Sequence, residues 1–329
     1  MTKKKINWLL IMQGWAMLWV VIGHSPISLD NMPYYVSVMY KFAYSFHMPL
    51  FIMISGYLFQ LTKLSRIEGP IGGGNFVKII CDKLVRLGIP FLVFTFIAMV
   101  MKVMFPGDMA RQTSLSIQEF LMAIVNPFDG PLNEMWFVLT ILWFFAFAPI
   151  WLWASQRKET EYVLLVLLTI LHFFHPEENM LCIRQICSQA VFFYSGILIC
   201  KHSLDEIGIR HRWHLFVGGL ITYTICFAFN ISFVIVWGAI AISAGLAFIL
   251  DEYLPKTFFS FRNYTYQIFL ISIFVQIAVK MVYKRVDMPY LIGYIVCILV
   301  GLYVPVLISK ILEKINWKPL LLCVGLKKK

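Results

Sequence analysis

Apolar residues recur along the chain in runs of membrane-crossing length, separated by short polar connections. Runs near 8–24, 38–61, 87–105, 134–154, 161–175, 185–200, 213–229, 231–250, 264–283 and 289–309 predict ten spans. About 20 apolar residues carry an α-helix across a hydrocarbon core, and a helix satisfies its backbone polar groups internally, as lipid requires. The pattern predicts an all-α fold, a polytopic membrane helical bundle forming one domain over residues 1–329. Two segments qualify the count. The run 161–175 is short and ends at His172 and His175, and the pair 213–229 and 231–250 turns about Asn230, as a tight hairpin or with a re-entrant piece. The first run follows Lys3, Lys4 and Lys5 as a signal peptide would. It contains Trp8, Trp15 and Trp19 without a small-residue cleavage site, and reads as a retained span.

Composition supports the same class. The chain is 60% hydrophobic and 14% charged, where a soluble domain has about 25% charged residues, and no soluble catalytic domain of useful size remains between the runs. The net charge of +11 does not call for nucleic acid, because the cations fall between spans and form no basic patch interleaved with aromatics. With ten spans and both termini cytoplasmic, Lys3–Lys5, Lys63, Arg66, Lys78, Lys83, Arg86, Arg157, Lys158, Lys201, Arg210, Arg212, Lys256, Arg262, Lys310, Lys314, Lys318 and Lys327–Lys329 lie inside. That is 21 of the 28 Lys and Arg residues. Lys41, Lys102, Arg111, Arg184, Lys280, Lys284 and Arg285 remain on or near the other side, the asymmetry of the positive-inside rule. Membrane lipids are the expected partners of the inner cations.

Three stretches then face outward, 25–37, 106–133 and 176–184. The second predicts a short helix over Ile117–Val125, ended by Asn126-Pro127. The seven cysteines mostly lie in apolar runs without zinc-ligand spacing, and read as small buried hydrophobes. Cys182 and Cys187, five apart at a helix start, are poorly spaced for a disulfide.

Ionisable groups inside such runs carry the chemical signal. His24 closes the first run, and His47 lies in Tyr44-Ser45-Phe46-His47-Met48-Pro49-Leu50-Phe51, at similar depth in the next. A neutral imidazole can take a hydroxyl proton and return it to a thiolate. Helix capping or a loop hydrogen bond accounts for either histidine as well. A metal site is not expected, since Asp30 would be the nearest third ligand. Glu134 begins the run 134–154, where a carboxylate either caps the helix or meets an acceptor hydroxyl. Lys83 and Arg86, three apart before Gly88-Ile89-Pro90, could together grip phosphate or simply anchor the inner face. The glycines of Gly69-Pro70-Ile71-Gly72-Gly73-Gly74-Asn75 could offer backbone amides to phosphate, but no Gly-Lys-Ser/Thr ending follows them.

The order of these pieces resembles the membrane-bound acyltransferase type 3 family, especially its bacterial surface-polysaccharide O-acetyltransferase branch, over nearly the whole chain. The resemblance is carried by Gln13-Gly14 and Gly23-His24, the Ser45–Phe51 segment with Ser55-Gly56-Tyr57-Leu58, Lys83–Phe91, Met135-Trp136-Phe137-Val138-Leu139 and Tyr264-Thr265-Tyr266-Gln267-Ile268-Phe269-Leu270. It implies transfer of an acetyl group from cytoplasmic acetyl-coenzyme A to a hydroxyl of a cell-surface or exported glycan, or of its lipid-linked precursor, in the bacterial inner membrane. His24 takes the place of the family's catalytic histidine, assisted by His47 or Glu134. Gln13 stands where the family commonly has a basic residue, so donor binding is assigned to Gln13 together with Lys83 and Arg86. Ser272 stands where a late histidine is usual and cannot act as a base. Homo-oligomerisation is left open. The alternatives are a transporter of a glycan intermediate or small solute, with Pro49, Gly56, Gly88 and Gly238 as helix irregularities, and a catalytically silent glycan-assembly protein.

The charge asymmetry yields a topology test. Tags at Lys3 and Lys329 are expected to stay protected from labelling outside sealed cells, while single cysteines at Asn31 and Asp129 react. Labelling of one terminus alone would require an odd number of spans.

Overall fold

The structure, a computed structural model, describes residues 4–67, 73–105, 113–286 and 288–326. All regular structure among them is helical. The helices are α1 (Lys4–His24), α2 (Tyr34–Thr62), α3 (Gly73–Lys83), α4 (Ile89–Met104), α5 (Ile117–Val125), α6 (Trp136–Ala146), α7 (Ala148–Ala154) and α8 (Lys158–Phe173). They continue with α9 (Ile183–Lys201), α10 (Leu204–Arg210), α11 (Arg212–Ala228), α12 (Ser232–Tyr253), α13 (Thr265–Tyr283), α14 (Tyr290–Ile315) and α15 (Lys318–Cys323). A π-helical segment, Leu84–Gly88, joins α3 to α4.

Among the described residues, seven helices are long and apolar enough to cross a membrane, or eight if the bent pair α6 and α7 is one span. The chain is thus a multi-pass membrane protein. Two of the ten expected runs coincide with shorter helices, α8 of 16 residues and α11 of 17. At 1.5 Å per residue these reach about 24–26 Å, against about 30 Å of hydrocarbon. The run 134–154 bends by 53° between α6 and α7. Pro149, near the start of α7, has no N–H to continue the helical ladder. The helix α5 has the expected bounds, with the Ser116 hydroxyl accepting from the Glu119 N–H at 3.1 Å as its N-cap.

The chain divides into two compact units, each discontinuous in sequence. The first comprises residues 1–54 and 203–315, the second 55–202 and 316–329. In the first, α1 is apolar on all sides and is enclosed accordingly. Met17, Val20 and Val21 pack with Ile268 of α13 and with Leu302 and Val306 of α14. The helices α11 and α12 form the tight hairpin, turning through Asn230 at φ +54°. Their backbones meet at glycines: a Cβ on Gly219 would lie 2.7 Å from the Ile242 nitrogen, and one on Gly245 2.7 Å from that of Phe216. Gly238 serves the same interface from within an unbroken α12. In the second unit, a Cβ on Gly56 would collide with the Phe193 carbonyl oxygen, so this glycine lets α2 seat against α9. The all-aromatic packing of Phe59, Phe144, Phe145, Trp151 and Phe193 surrounds that contact. Pro49 interrupts no helix, since α2 continues through it.

Gly218 and Gly219 are neighbours with opposite surroundings, because nothing lies within 4 Å of a Cβ on Gly218. Gly219→Ala is expected to destabilise the purified protein by about 1–3 kcal/mol, and Gly218→Ala to leave its thermal midpoint level or raised. Equal midpoints for the two variants would contradict the close helix contact.

Candidate functional site

The end of α1 gathers polar groups among apolar side chains of α1, α13 and α14. A helix leaves its last carbonyls without intrahelical partners, and buried ones cost about 1–3 kcal/mol each if left bare. Here other side chains supply the donors. Gln276 Nε2 of α13 donates to the Val21 carbonyl at 3.0 Å and to Ser25 Oγ at 2.9 Å, and Ser25 Oγ donates to Val21 O at 2.7 Å. Lys280 Nζ, one turn further along α13, donates to the His24 carbonyl at 2.8 Å. Its positive charge suits the negative end of the helix dipole. The Tyr294 hydroxyl approaches Ile22 O at 3.5 Å. Gly301 of α14 makes the room: a Cβ there would come within 2.8 Å of Gln276 Nε2. Gln276 Oε1 is buried without a hydrogen-bond partner among the described residues.

This clamp holds His24 at a partly open position facing α2. Gly23 allows the approach, since a Cβ on it would stand 3.1 Å from the Tyr44 ring and 3.3 Å from Ala43 Cβ. Tyr44 lies against both histidines. Its hydroxyl is 3.5 Å from His24 Nδ1, at the limit of hydrogen bonding. Its ring meets His24 and His47 edge-on, with centroids 5.8 Å and 5.1 Å away. His47 is buried, and its Nδ1 lies 2.5 Å from the Ala43 carbonyl. A carbonyl can only accept, so Nδ1 carries the proton and the neutral ring keeps its lone pair on Nε2. The two histidines expected at one depth are therefore brought together, with Tyr44 between them.

Gln13 lies on α1 eleven residues before His24, about 16 Å along the helix. It is half-buried, and the adjoining Gly14 lets the chain at 258–262 pass close: a Cβ on Gly14 would lie 2.9 Å from Phe258 Cβ and 3.1 Å from Arg262 Cβ. Arg262 ties this region together, donating to the carbonyls of Pro255 and Thr257 at 3.0 Å each and to Asn7 Oδ1 at 2.8 Å.

Glu134, Lys83 and Arg86 belong to the second unit. Glu134 sits in the short 3-10 turn Asn133–Met135 that opens α6, half-buried beside Asn133, whose Oδ1 is buried without a partner. Lys83 ends α3 with its ammonium 3.8 Å above the centre of the Phe145 ring and 6.0 Å from that of Phe59, a cation–π placement. Arg86 follows within the π-helical segment and is exposed. The segment runs in an i→i+5 register rather than an α-helical one. Within the glycine turn, residues 69–72 lie outside the described residues, as do 106–112 of the long connection and the terminal lysines Lys3 and Lys327–Lys329. Gly73 and Gly74 are exposed at the start of α3. Among the described residues, no group of three His, Cys, Asp or Glu could hold a metal ion. All seven cysteines are free thiols.

Sequence reasoning passed over Tyr44, Ser25, Gln276, Lys280 and Tyr294. A signal for two of these was present: with Ser272, Gln276 and Lys280 recur every four residues in an apolar span, one polar stripe on α13. Ser272 is buried on that stripe.

The sequence profile of the acyltransferase type 3 family, described as an acyltransferase domain, matches residues 6–310. The chain belongs to this family, and the family implies an acyltransferase acting in a membrane. No curated protein and no solved structure matches the chain.

The clamp on α1 has a measurable consequence. Lys280→Met is expected to lower the thermal midpoint by the equivalent of about 1 kcal/mol, with Lys280→Arg recovering most of it. A Met variant as stable as wild type would show that the His24 carbonyl does not depend on the ammonium.

Proposed function

We propose that the protein is an O-acetyltransferase of the bacterial surface-polysaccharide branch, moving acetyl from cytoplasmic acetyl-coenzyme A to a hydroxyl of a cell-surface or exported glycan, or of its lipid-linked precursor. The observation that carries this reading is the pair His24 and His47 about Tyr44 at the clamped end of α1, in a chain of the acyltransferase family. The family match runs through both compact units, which supports one functional domain over residues 1–329. With α8 and α11 counted as short spans and α6–α7 as one, ten spans follow. Both termini then lie in the cytoplasm, with the His24 end of α1 at the outer face of the inner membrane.

In this reading His24 Nδ1–H is held by the Tyr44 oxygen, which leaves Nε2 as the base. Nε2 takes the proton of the acceptor hydroxyl as that oxygen attacks the thioester carbonyl. The carbon–sulfur bond breaks, and the departing thiolate receives the proton from the imidazolium, giving an acetyl ester and free coenzyme A. His47, with Nδ1 spent on Ala43, offers Nε2 to orient the acceptor hydroxyl. Direct transfer is the route adopted. Donor phosphates are assigned to the exposed Arg86, with Lys83 as a further contact.

The transporter reading loses its irregular helices at Pro49, Gly56 and Gly238, which lie in unbroken α2 and α12. The silent-member reading rests on Gln13 and Ser272. Purified protein in vesicles, given labelled acetyl-coenzyme A and candidate glycans, separates the three by product mass. His24→Ala is expected to lose about 10²–10⁴-fold in transfer with insertion and folding intact. Arg86→Ala is expected to raise the donor KM more than Lys83→Ala. A folded His24→Ala protein with wild-type turnover would remove the imidazole from the mechanism.

A further inference from the structure

The surface beside the histidine pair is aromatic in a particular way. Tyr40 and Tyr44, four apart on α2, lie together with ring centroids 4.3 Å apart and planes tilted by 36°. Tyr44 is 45% exposed although its hydroxyl is turned toward His24 and its ring stands perpendicular to that of His47. Tyrosines that anchor a protein at a membrane interface direct the hydroxyl to water and the ring body toward lipid. Tyr44 has the opposite arrangement: its polar tip is engaged with the protein, and ring surface is left open.

Depth supports an aqueous approach. The helix α2 has 29 residues, where about 20 suffice to cross the hydrocarbon. The surplus lies at this end, because residues 34–45 contain Lys41, Ser37, Ser45 and four tyrosines, while 46–59 are almost wholly apolar. Lys41 beside Tyr40 is exposed, and Tyr34 and Tyr35 at the helix start are exposed as well.

Resting on the acyl-transfer reading of the His24 end, we propose that Tyr40 and Tyr44 form a platform for the pyranose ring of the acceptor, presenting its hydroxyl to the histidines. The electron-rich face of a tyrosine attracts the positively polarised C–H groups on one face of a sugar ring. Such a platform selects for a ring over an open-chain polyol with the same hydroxyls. Hydroxyl recognition alone gives no such preference.

Saturation-transfer NMR on the full-length protein in detergent micelles tests this with methyl glucopyranoside, methyl galactopyranoside and methyl rhamnopyranoside against sorbitol. Ring C–H protons of at least one pyranoside should saturate, with tighter binding than sorbitol. Tyr44→Leu and Tyr40→Leu should each reduce that preference by at least about fivefold, and Tyr44→Phe, which keeps the ring, should retain it. A second measurement needs no variant: the preferred pyranoside, and not sorbitol, should protect Tyr40 and Tyr44 of the wild-type protein from nitration by tetranitromethane. Equal binding of rings and sorbitol, or a preference and protection pattern indifferent to these tyrosines, would leave them as interface anchors and overturn the platform. Labelled acetyl transfer is scored separately. Ring-selective binding without transfer to any acceptor sinks the acyl-transfer reading alone, while transfer without ring selectivity sinks the platform alone.

Discussion

A helix that ends inside an apolar bundle must find donors for its last carbonyls, and in this protein that requirement organises the candidate site. The carbonyls of Val21 and His24 are met by Gln276 and Lys280 of one neighbouring helix, and the Ser25 hydroxyl returns to Val21. Bare carbonyls would cost about 1–3 kcal/mol each in such surroundings. With them satisfied, the imidazole of His24 projects from an anchored backbone, which general acid–base chemistry needs because misplacement by about an ångström is costly in rate.

Small residues perform the complementary task. Gly301 admits the Gln276 amide, Gly23 admits the Tyr44 ring, and Gly14 admits the chain around Arg262 at the middle of α1. In lipid there is no hydrophobic force between helices to exploit, so close backbone approach and internal hydrogen bonds have to hold the bundle. The same economy joins α11 to α12 and seats α2 on α9.

The family's motifs acquire separate physical meanings in this setting. In Gly23-His24 the glycine is a packing position, and the histidine beside it faces Tyr44. In the segment from Ser45 to Phe51, His47 is internally satisfied through Nδ1, while Tyr44, just ahead of it, reaches both imidazoles. Lys83 and Arg86 read alike in the sequence, yet one lies on an aromatic face and the other is exposed, because a π-helical segment begins between them. Gln13 and Ser272 sit on α1 and α13, the two helices whose contacts frame the His24 end.

Hydrophobic run length and charge placement were enough to establish a helical membrane protein, because lipid permits few ways to satisfy a backbone and the spans announce themselves locally. The motif order was enough to reach the acyltransferase family, and the helix Ile117–Val125 was legible from its cap and its Asn-Pro ending. The two histidines stood out because imidazoles in apolar runs are costly. Tertiary structure decided what periodicity cannot encode: the 53° bend at Pro149, the π register after Lys83, and the donors that close α1. Gln276 and Lys280 lie about 250 residues from the carbonyls they meet, so only folding brings them there. Tyr44 was invisible for the same reason, since an exposed tyrosine near a helix start looks like an interface anchor until its hydroxyl is seen turned toward His24.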